Sequence, residues 1–322
     1  MPGDVNPHPS FGDIIRAVKD VCILPMGSID IHRVAPFLTK SVLIVGPPGS
    51  GKKTLVNMVC TELNATLVDL TAANIVGKYP GKPGLKMLMH LIQKVGKAVE
   101  PVIFLIDNCE RTYMKKVPKT NHDEPKRLKK QLGKFLKTFT PEDLFLLIGL
   151  SSEPWVAPFK TLKKDYQRIF YVPPADYGTR LLLWKEGLAT ISELLHPDIN
   201  YTLLAKLSQG WTSGSINKTC RDVVEDHHKD LAERNKETSK ETDPWRHLGR
   251  AAPVRFIKIG KVYITMSKLM QYISEYDPVF IEQEKLWNSW WNKTPLQKAR
   301  LGTQVKVGPE KKKGKKGKKK SK

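Results

Sequence analysis

Apolar residues in this chain gather into five short unbroken runs, separated by stretches in which they recur every third or fourth position. The runs are 42–45 (VLIV), 65–70 (ATLVDL), 102–106 (VIFLI), 144–150 (LFLLIGL) and 168–172 (RIFYV). Short continuous runs suit parallel strands buried on both faces. Helical spacing appears between them, at Ile14, Ile15, Val18 and Val21 within 11–23 and at Leu85, Leu88, Leu91, Ile92 and Val95 within 85–99. Leu24-Pro25 is expected to end the first helix, 29–38 adds a short one, and 126–139 reads as another. Strands alternating with helices predict an α/β fold: a parallel sheet sandwiched by helices. From 177 the pattern turns wholly helical, at 180–195, 203–209, 213–233 and 267–274, with a polar linker at 234–243 and Thr265 as a helix cap. The expected division is linker helices at 1–40, an α/β domain at 41–176, a small helical lid at 177–275, a Trp-rich helix at 276–302 and a Lys-rich tail, expected to be disordered, at 303–322.

The candidate chemistry sits where the first run ends. Gly46, Pro47, Pro48, Gly49, Ser50, Gly51 and Lys52 lie between a strand and a helix and match the P-loop pattern G-x-x-x-x-G-K. Glycines let such a loop curl around a phosphate, the helix N-terminus adds partial positive charge, and Lys52 reaches the outer phosphates. This predicts binding of ATP or ADP. The next position, where a Ser or Thr hydroxyl holds Mg²⁺, carries Lys53. Thr54 is displaced by about 100° around the helix and does not simply replace it. The Lys53 ammonium can instead stand against the phosphates in part of the metal's place. Asp107 closes the run 102–106, as does the acid that holds Mg²⁺ through water in P-loop proteins. By itself it reads as a turn-forming Asp at the end of a buried strand; beside a P-loop the metal role weighs more.

With the P-loop, the acidic strand, a strand ending in polar residues and a helical lid in this order, residues 10–275 resemble the AAA+ ATPases. Lys78-Tyr79-Pro80-Gly81 falls where that family carries the aromatic residue of its pore-lining loop, within a Gly- and Pro-rich loop at 77–84. The stretch 207–216 (LSQGWTSGSI) is similar to the family's lid signature. The segment 277–298 (DPVFIEQEKLWNSWWNKTPLQK), with GPPGSGKKT, narrows the resemblance to the branch associated with the nexin–dynein regulatory complex of motile cilia. That implies axonemal proteins as partners and a place in the cytoskeleton of a cilium or flagellum. It leaves open whether a hexamer forms. No calmodulin-type IQ motif is visible, so the chain is expected to be a short form, a paralogue or a C-terminal part.

Departures from the family pattern bear on hydrolysis. The resemblance puts a water-activating Glu at Asn108, and an amide takes no proton near neutral pH. Glu110 stands two residues further on. Ser152 or Ser151 occupies the neighbourhood of the residue that senses the γ-phosphate. Residues 162–165 (LKKD) hold no Arg where the family places its arginine finger. The expectation is an ATP- or ADP-binding scaffold protein with weak or no hydrolysis, against an active hexameric ATPase that remodels a protein partner.

Composition adds a few bounds. Over 322 residues the chain is 40% hydrophobic and 27% charged, ordinary values, but its net charge is +22. From 306 to 322 there are ten Lys against Glu310 alone, and a second basic run lies at 115–137. The tail is expected to attract the acidic tails of tubulin, ahead of nucleic acid or anionic lipid; no base-reading motif accompanies it. Cys22, Cys60, Cys109 and Cys220 lack metal spacing and read as buried thiols in a reducing compartment. No signal core and no apolar run long enough to cross a membrane is present, so neither secretion nor a membrane span is expected. Trp287, Trp290 and Trp291 share one helical face, which is expected either to pack on the lid or to anchor a neighbouring axonemal protein.

Overall fold

Each of the five apolar runs forms a strand in the computed structural model, which describes residues 9–299 apart from 36–37, 115–123, 190, 193–194, 242–262 and 280. They are β1 (Ser41–Val45), β2 (Thr66–Asp69), β3 (Val102–Ile106), β4 (Phe145–Ser151) and β5 (Arg168–Tyr171), all parallel, in the order β2-β3-β4-β1-β5. Parallel neighbours need crossover connections, and these supply the covering helices. Successive side chains point to opposite faces, so each strand feeds two cores. Val42, Ile44, Ile103, Leu105, Leu146 and Ile148 meet α1 (Phe11–Val18) and α2 (Lys52–Leu63) on one face. Leu43, Val45, Phe104, Ile106, Phe145 and Leu147 meet α3 (Gly81–Ala98), α4 (Lys129–Thr138) and α5 (Phe159–Asp165) on the other. The lid follows as α6 (Tyr177–Ala189), α7 (Tyr201–Leu207), α8 (Ser213–Glu241) and α9 (Met266–Glu275), around Trp184, Leu204, Trp211, Ile216 and Leu269. The last helix is α10 (Ile281–Trp291).

Several boundaries differ from the sequence reading, each for a physical reason. Leu24-Pro25 does not end the first helix. After α1 the chain passes through a wider turn (Lys19–Ile23), in which the Leu24 N–H donates to the Lys19 carbonyl, and continues as Leu24–Met26. Pro25 stands at the start of that segment, where its missing N–H matters least. The loop expected at 77–84 is partly helical: α3 begins at Gly81, with Pro80 as N-cap and Pro83 in the first turn. The expected linker is helix as far as Glu241, since 233–241 (ERNKETSKE) has no Gly or Pro and several strong helix formers. Thr265 does hold the N-cap position of α9, but its hydroxyl meets that of Ser267 at 2.9 Å instead of a backbone N–H.

The Trp face of α10 packs on the α/β domain, not on the lid. Trp287 and Trp290 are each 2% exposed. Trp287 lies edge-on to Trp155, and Trp290 edge-on to Phe159, with ring centroids 4.7 and 5.6 Å apart. Trp291 lies 5.4 Å from Tyr171 at the end of β5. A stripe engaged in this way closes the open margin of the second core, and it is not available as an anchor for another protein. Cys22, Cys109 and Cys220 are buried free thiols as expected, whereas Cys60 is only half-buried. The expectations for 1–8, 115–123 and 303–322 lie outside the described residues. Among the described residues no helix is long and apolar enough to cross a membrane.

Candidate nucleotide site

The C-terminal ends of β1, β3 and β4 all open on one side of the sheet, where a cavity of about 600 Å³ is bounded above by the lid. One wall is the loop leaving β1. Gly49 and Gly51 hold φ of +77° and +90°, conformations in which a side chain is strained, and Gly51 hands the chain to α2 as its N-cap. Gly46 has no room for a side chain either: a Cβ there would stand 2.4 Å from the Val172 carbonyl. Pro48, Gly49, Gly51, Lys52, Lys53 and Thr54 line the cavity, while Gly46, Pro47 and Ser50 sit behind them, buried against the sheet. The loop is closed from the lid side as well. The Gly214 N–H donates to the Gly49 carbonyl at 2.8 Å, and a Cβ on Gly214 would meet Gly49 Cα at 2.9 Å. Glycine against glycine is what lets α8 approach the loop so closely.

Lys52 is 7% exposed, and its ammonium donates to the Gly46 and Pro47 carbonyls, both at 2.8 Å. Burial draws its pKa down to about 8, with Asp107 and then Glu110 acting in the opposite direction. Lys53 points across the cleft instead. Its Nζ lies 2.7 Å from Asp107 Oδ2, and this contact raises its pKa. The other Asp107 oxygen, Oδ1, accepts from the Asn108 N–H at 2.9 Å, and the Asp107 N–H donates to Thr71 Oγ1 at 3.0 Å. Asp107 is thus fixed from three sides, and it is the one acid among the described residues that line the cavity.

Asn108 also faces the cavity, with a left-handed backbone at φ +48°, a conformation Asn tolerates better than most residues. Its amide can orient a water and take no proton from it. Glu110 does not stand in: it is 3% exposed, lies beside Ser151 away from the cavity wall, and burial pushes its carboxyl pKa up. Of the two candidate sensor residues, Ser152 lines the cavity and Ser151 is fully buried. In the segment 162–165, Leu162 and Asp165 face inward, Asp165 accepts from the Tyr113 hydroxyl at 2.6 Å, and Lys163 and Lys164 are exposed. Tyr79 is half-buried against the second core, with φ +53°, and its carbonyl accepts from Arg127. It is not a freely projecting loop aromatic.

The far wall includes three residues that the sequence reading missed. Asn217, Lys218 and Arg221 come from α8 and face the P-loop across the cavity. Their only signal is position: they follow Gly214 within two turns of a helix whose start is pinned to Gly49. Lys218 also lies over the Tyr276 ring, 5.3 Å from its centroid. The walls therefore present Lys52, Lys53, Lys218 and Arg221 against Asp107 alone, a setting for a polyphosphate anion. Among the described residues no group of His, Cys, Asp and Glu is placed to bind a metal.

Comparison with known proteins agrees with this architecture. The model of the ATPase family associated with various cellular activities (AAA) matches residues 42–174. Mouse (Mus musculus) Dynein regulatory complex protein 11 is 37% identical over 98% of this chain, which spans 35% of that protein. The A-like 1 form of the katanin p60 ATPase-containing protein from rat (Rattus norvegicus) is 23% identical over 88% of this chain and 58% of its own length. The chain thus spans about a third of the first relative and somewhat over half of the second. Among solved structures, the FIGL-1 AAA domain in complex with ADP superposes with a TM-score of 0.65, covering 90% of this chain and 92% of that one at 18% identity. That likeness is one of fold.

Proposed function

The chain belongs to the AAA family of ATPases through residues 42–174, and from that premise we propose that it is a nucleotide-binding scaffold protein of the ciliary axoneme, acting with proteins of the dynein regulatory complex. One observation carries the nucleotide part. The P-loop, Lys52 and the lid residues close around a cavity of about 600 Å³, of a size that suits a nucleotide. Its catalytic position holds Asn108, whose side chain takes no proton. ATP or ADP then serves as a ligand that ties lid to sheet, with slow hydrolysis or none. Similarity to the mouse dynein regulatory complex protein supports the axonemal setting.

The reading is tested by measuring binding and turnover together on the purified chain. Tight binding of ATP and ADP with phosphate release near background is the expected result. Turnover at the rate of working ATPases, abolished in Lys52→Ala, would replace it with an active ATPase that remodels a partner, the activity suggested by the katanin-like relative. Tyr79 weighs against that alternative, because a residue packed into the core is poorly placed to grip a threaded chain. For the axonemal part, a tagged chain expressed in ciliated cells should fractionate with axonemes and co-purify with dynein regulatory complex proteins. Exclusion from axonemes would remove it.

A further inference from the structure

We propose that the Lys53 ammonium occupies the role of the nucleotide's magnesium ion, so that this site takes ATP or ADP as the metal-free polyphosphate. The inference rests on the nucleotide-binding reading above and specifies the ionic form of the ligand.

In a P-loop site, Mg²⁺ is held between a hydroxyl at the start of the helix and an acid at the end of a neighbouring strand. Here the helix position is a lysine, and its Nζ lies 2.7 Å from Asp107 Oδ2, the oxygen a metal-bound water needs. Asp107 Oδ1 already accepts from the Asn108 N–H. A divalent ion entering this space would find no second acid among the described lining residues, and it would have to displace an ammonium from the one that exists. It would also sit among Lys52, Lys53, Lys218 and Arg221. Mg²⁺ gives up its waters reluctantly and needs anionic ligands to compensate; this wall offers mostly cations. The residues present therefore do not fit the metal.

They do fit its electrostatic task. Lys53 stands on the first turn of α2, next to the residue that reaches the phosphates, and 69% of its side chain is exposed. A bound polyphosphate would meet Lys52 and Lys53 together, with Asp107 holding the second ammonium in the cleft. An exposed lysine with no task in the cleft would spread into solvent to keep its rotamer freedom. This one is drawn to the acid.

The test is a titration of fluorescent ADP and ATP analogues into the full chain by anisotropy, in EDTA and in excess Mg²⁺. The native chain should bind within about twofold in both, since the cation is built in. Lys53→Thr removes the ammonium and restores a hydroxyl. Its affinity in EDTA should fall by about tenfold or more, the scale of one charge-assisted bond, and Mg²⁺ should recover part of the loss. Thermal melting checks that the variant is folded, which the exposure of Lys53 leads us to expect. Native binding that rises tenfold or more with Mg²⁺, or an unchanged EDTA affinity in folded Lys53→Thr, overturns the inference and leaves nucleotide binding standing. Absence of binding in both conditions overturns the nucleotide reading and this inference with it.

Discussion

The two walls of the cleft differ in what their residues do. The P-loop wall works through backbone shape: Gly49 and Gly51 at positive φ, a helix N-terminus, and one buried lysine. The opposing wall, at the ends of β3 and β4, works in its relatives' fold through side-chain chemistry: metal ligation, proton transfer and phosphate sensing. The first wall is complete here. On the second, Asp107 is engaged by Lys53, Asn108 replaces a base, and Ser152 is too short to reach as an amide would. Holding a nucleotide and turning it over are therefore separable properties of one cleft, because the first needs geometry and the second needs particular proton and metal chemistry. The lid contact between Gly214 and Gly49 belongs to the holding side.

The largest effect should come from Lys52→Ala. It removes a charge from the phosphates and also the two bonds to the Gly46 and Pro47 carbonyls that brace the loop. Two charge-assisted bonds of roughly 1.5–3 kcal/mol each put the loss of ADP affinity at about 100-fold or more, read by calorimetry. A loss under threefold would mean that loop N–H groups and the helix dipole suffice, and the contrast between the walls would need redrawing.

Next comes pH. Free of ligand, Lys52 has a pKa near 8 because it is buried. Phosphate oxygens favour the ammonium, so nucleotide raises that pKa. The contribution of the charge to affinity is then complete below pH 8 and is lost as pH rises above it, by up to about tenfold per unit until the bound-state pKa is passed. The nucleotide's own phosphates, with a last pKa of about 6, are already ionised in this window. Affinities measured from pH 7 to 10 in the native chain should fall, and the slope should vanish in Lys52→Ala. A flat native profile would show that the lysine stays charged despite its burial.

Gly214→Ala probes the holding wall from the lid side. The added methyl would stand 2.9 Å from Gly49, so α8 must retreat from the loop. Overpacking of this kind costs about 1–3 kcal/mol, and a share of it should appear as roughly three- to tenfold weaker nucleotide binding. The melting temperature of the apo chain should change little, since the strain is relieved by lid movement. Unchanged affinity would mean that lid docking on Gly49 is not part of ligand retention.

How much of this was legible beforehand follows from the range of the interactions involved. Buried parallel strands announce themselves locally, since both faces must be apolar, and so Val102–Ile106 matched its element end to end. The P-loop is legible for a similar reason: its constraints lie within a few consecutive residues. The Trp face of α10 was legible as a face, yet its partners Trp155, Phe159 and Tyr171 are distant in sequence, and no local pattern chooses between sheet and lid. Asn217, Lys218 and Arg221 read as ordinary polar positions on a helix until the Gly214–Gly49 contact turns them toward the phosphates. Lys53 was visibly out of pattern, but that it reaches Asp107 is a fact of tertiary structure.

The smallest effect is expected where the sequence suggests the largest. Changing Lys53→Thr and Asn108→Glu together restores the letters of a working site, and phosphate release in Mg²⁺ should still rise by less than about tenfold. Asn108 has φ +48°, a conformation that costs a Glu roughly 1–2 kcal/mol and would bend its carboxylate away from the water it must activate. Nothing in 162–165 supplies an Arg, and the lack of a finger alone is worth a factor of about 10³ or more. Because these deficits act on the same transition state, repairing two of them leaves the remaining barrier in place. A double variant that turns over several times per second would show that Lys53 and Asn108 were the only obstacles, and that the second wall is a working one held in check by two side chains.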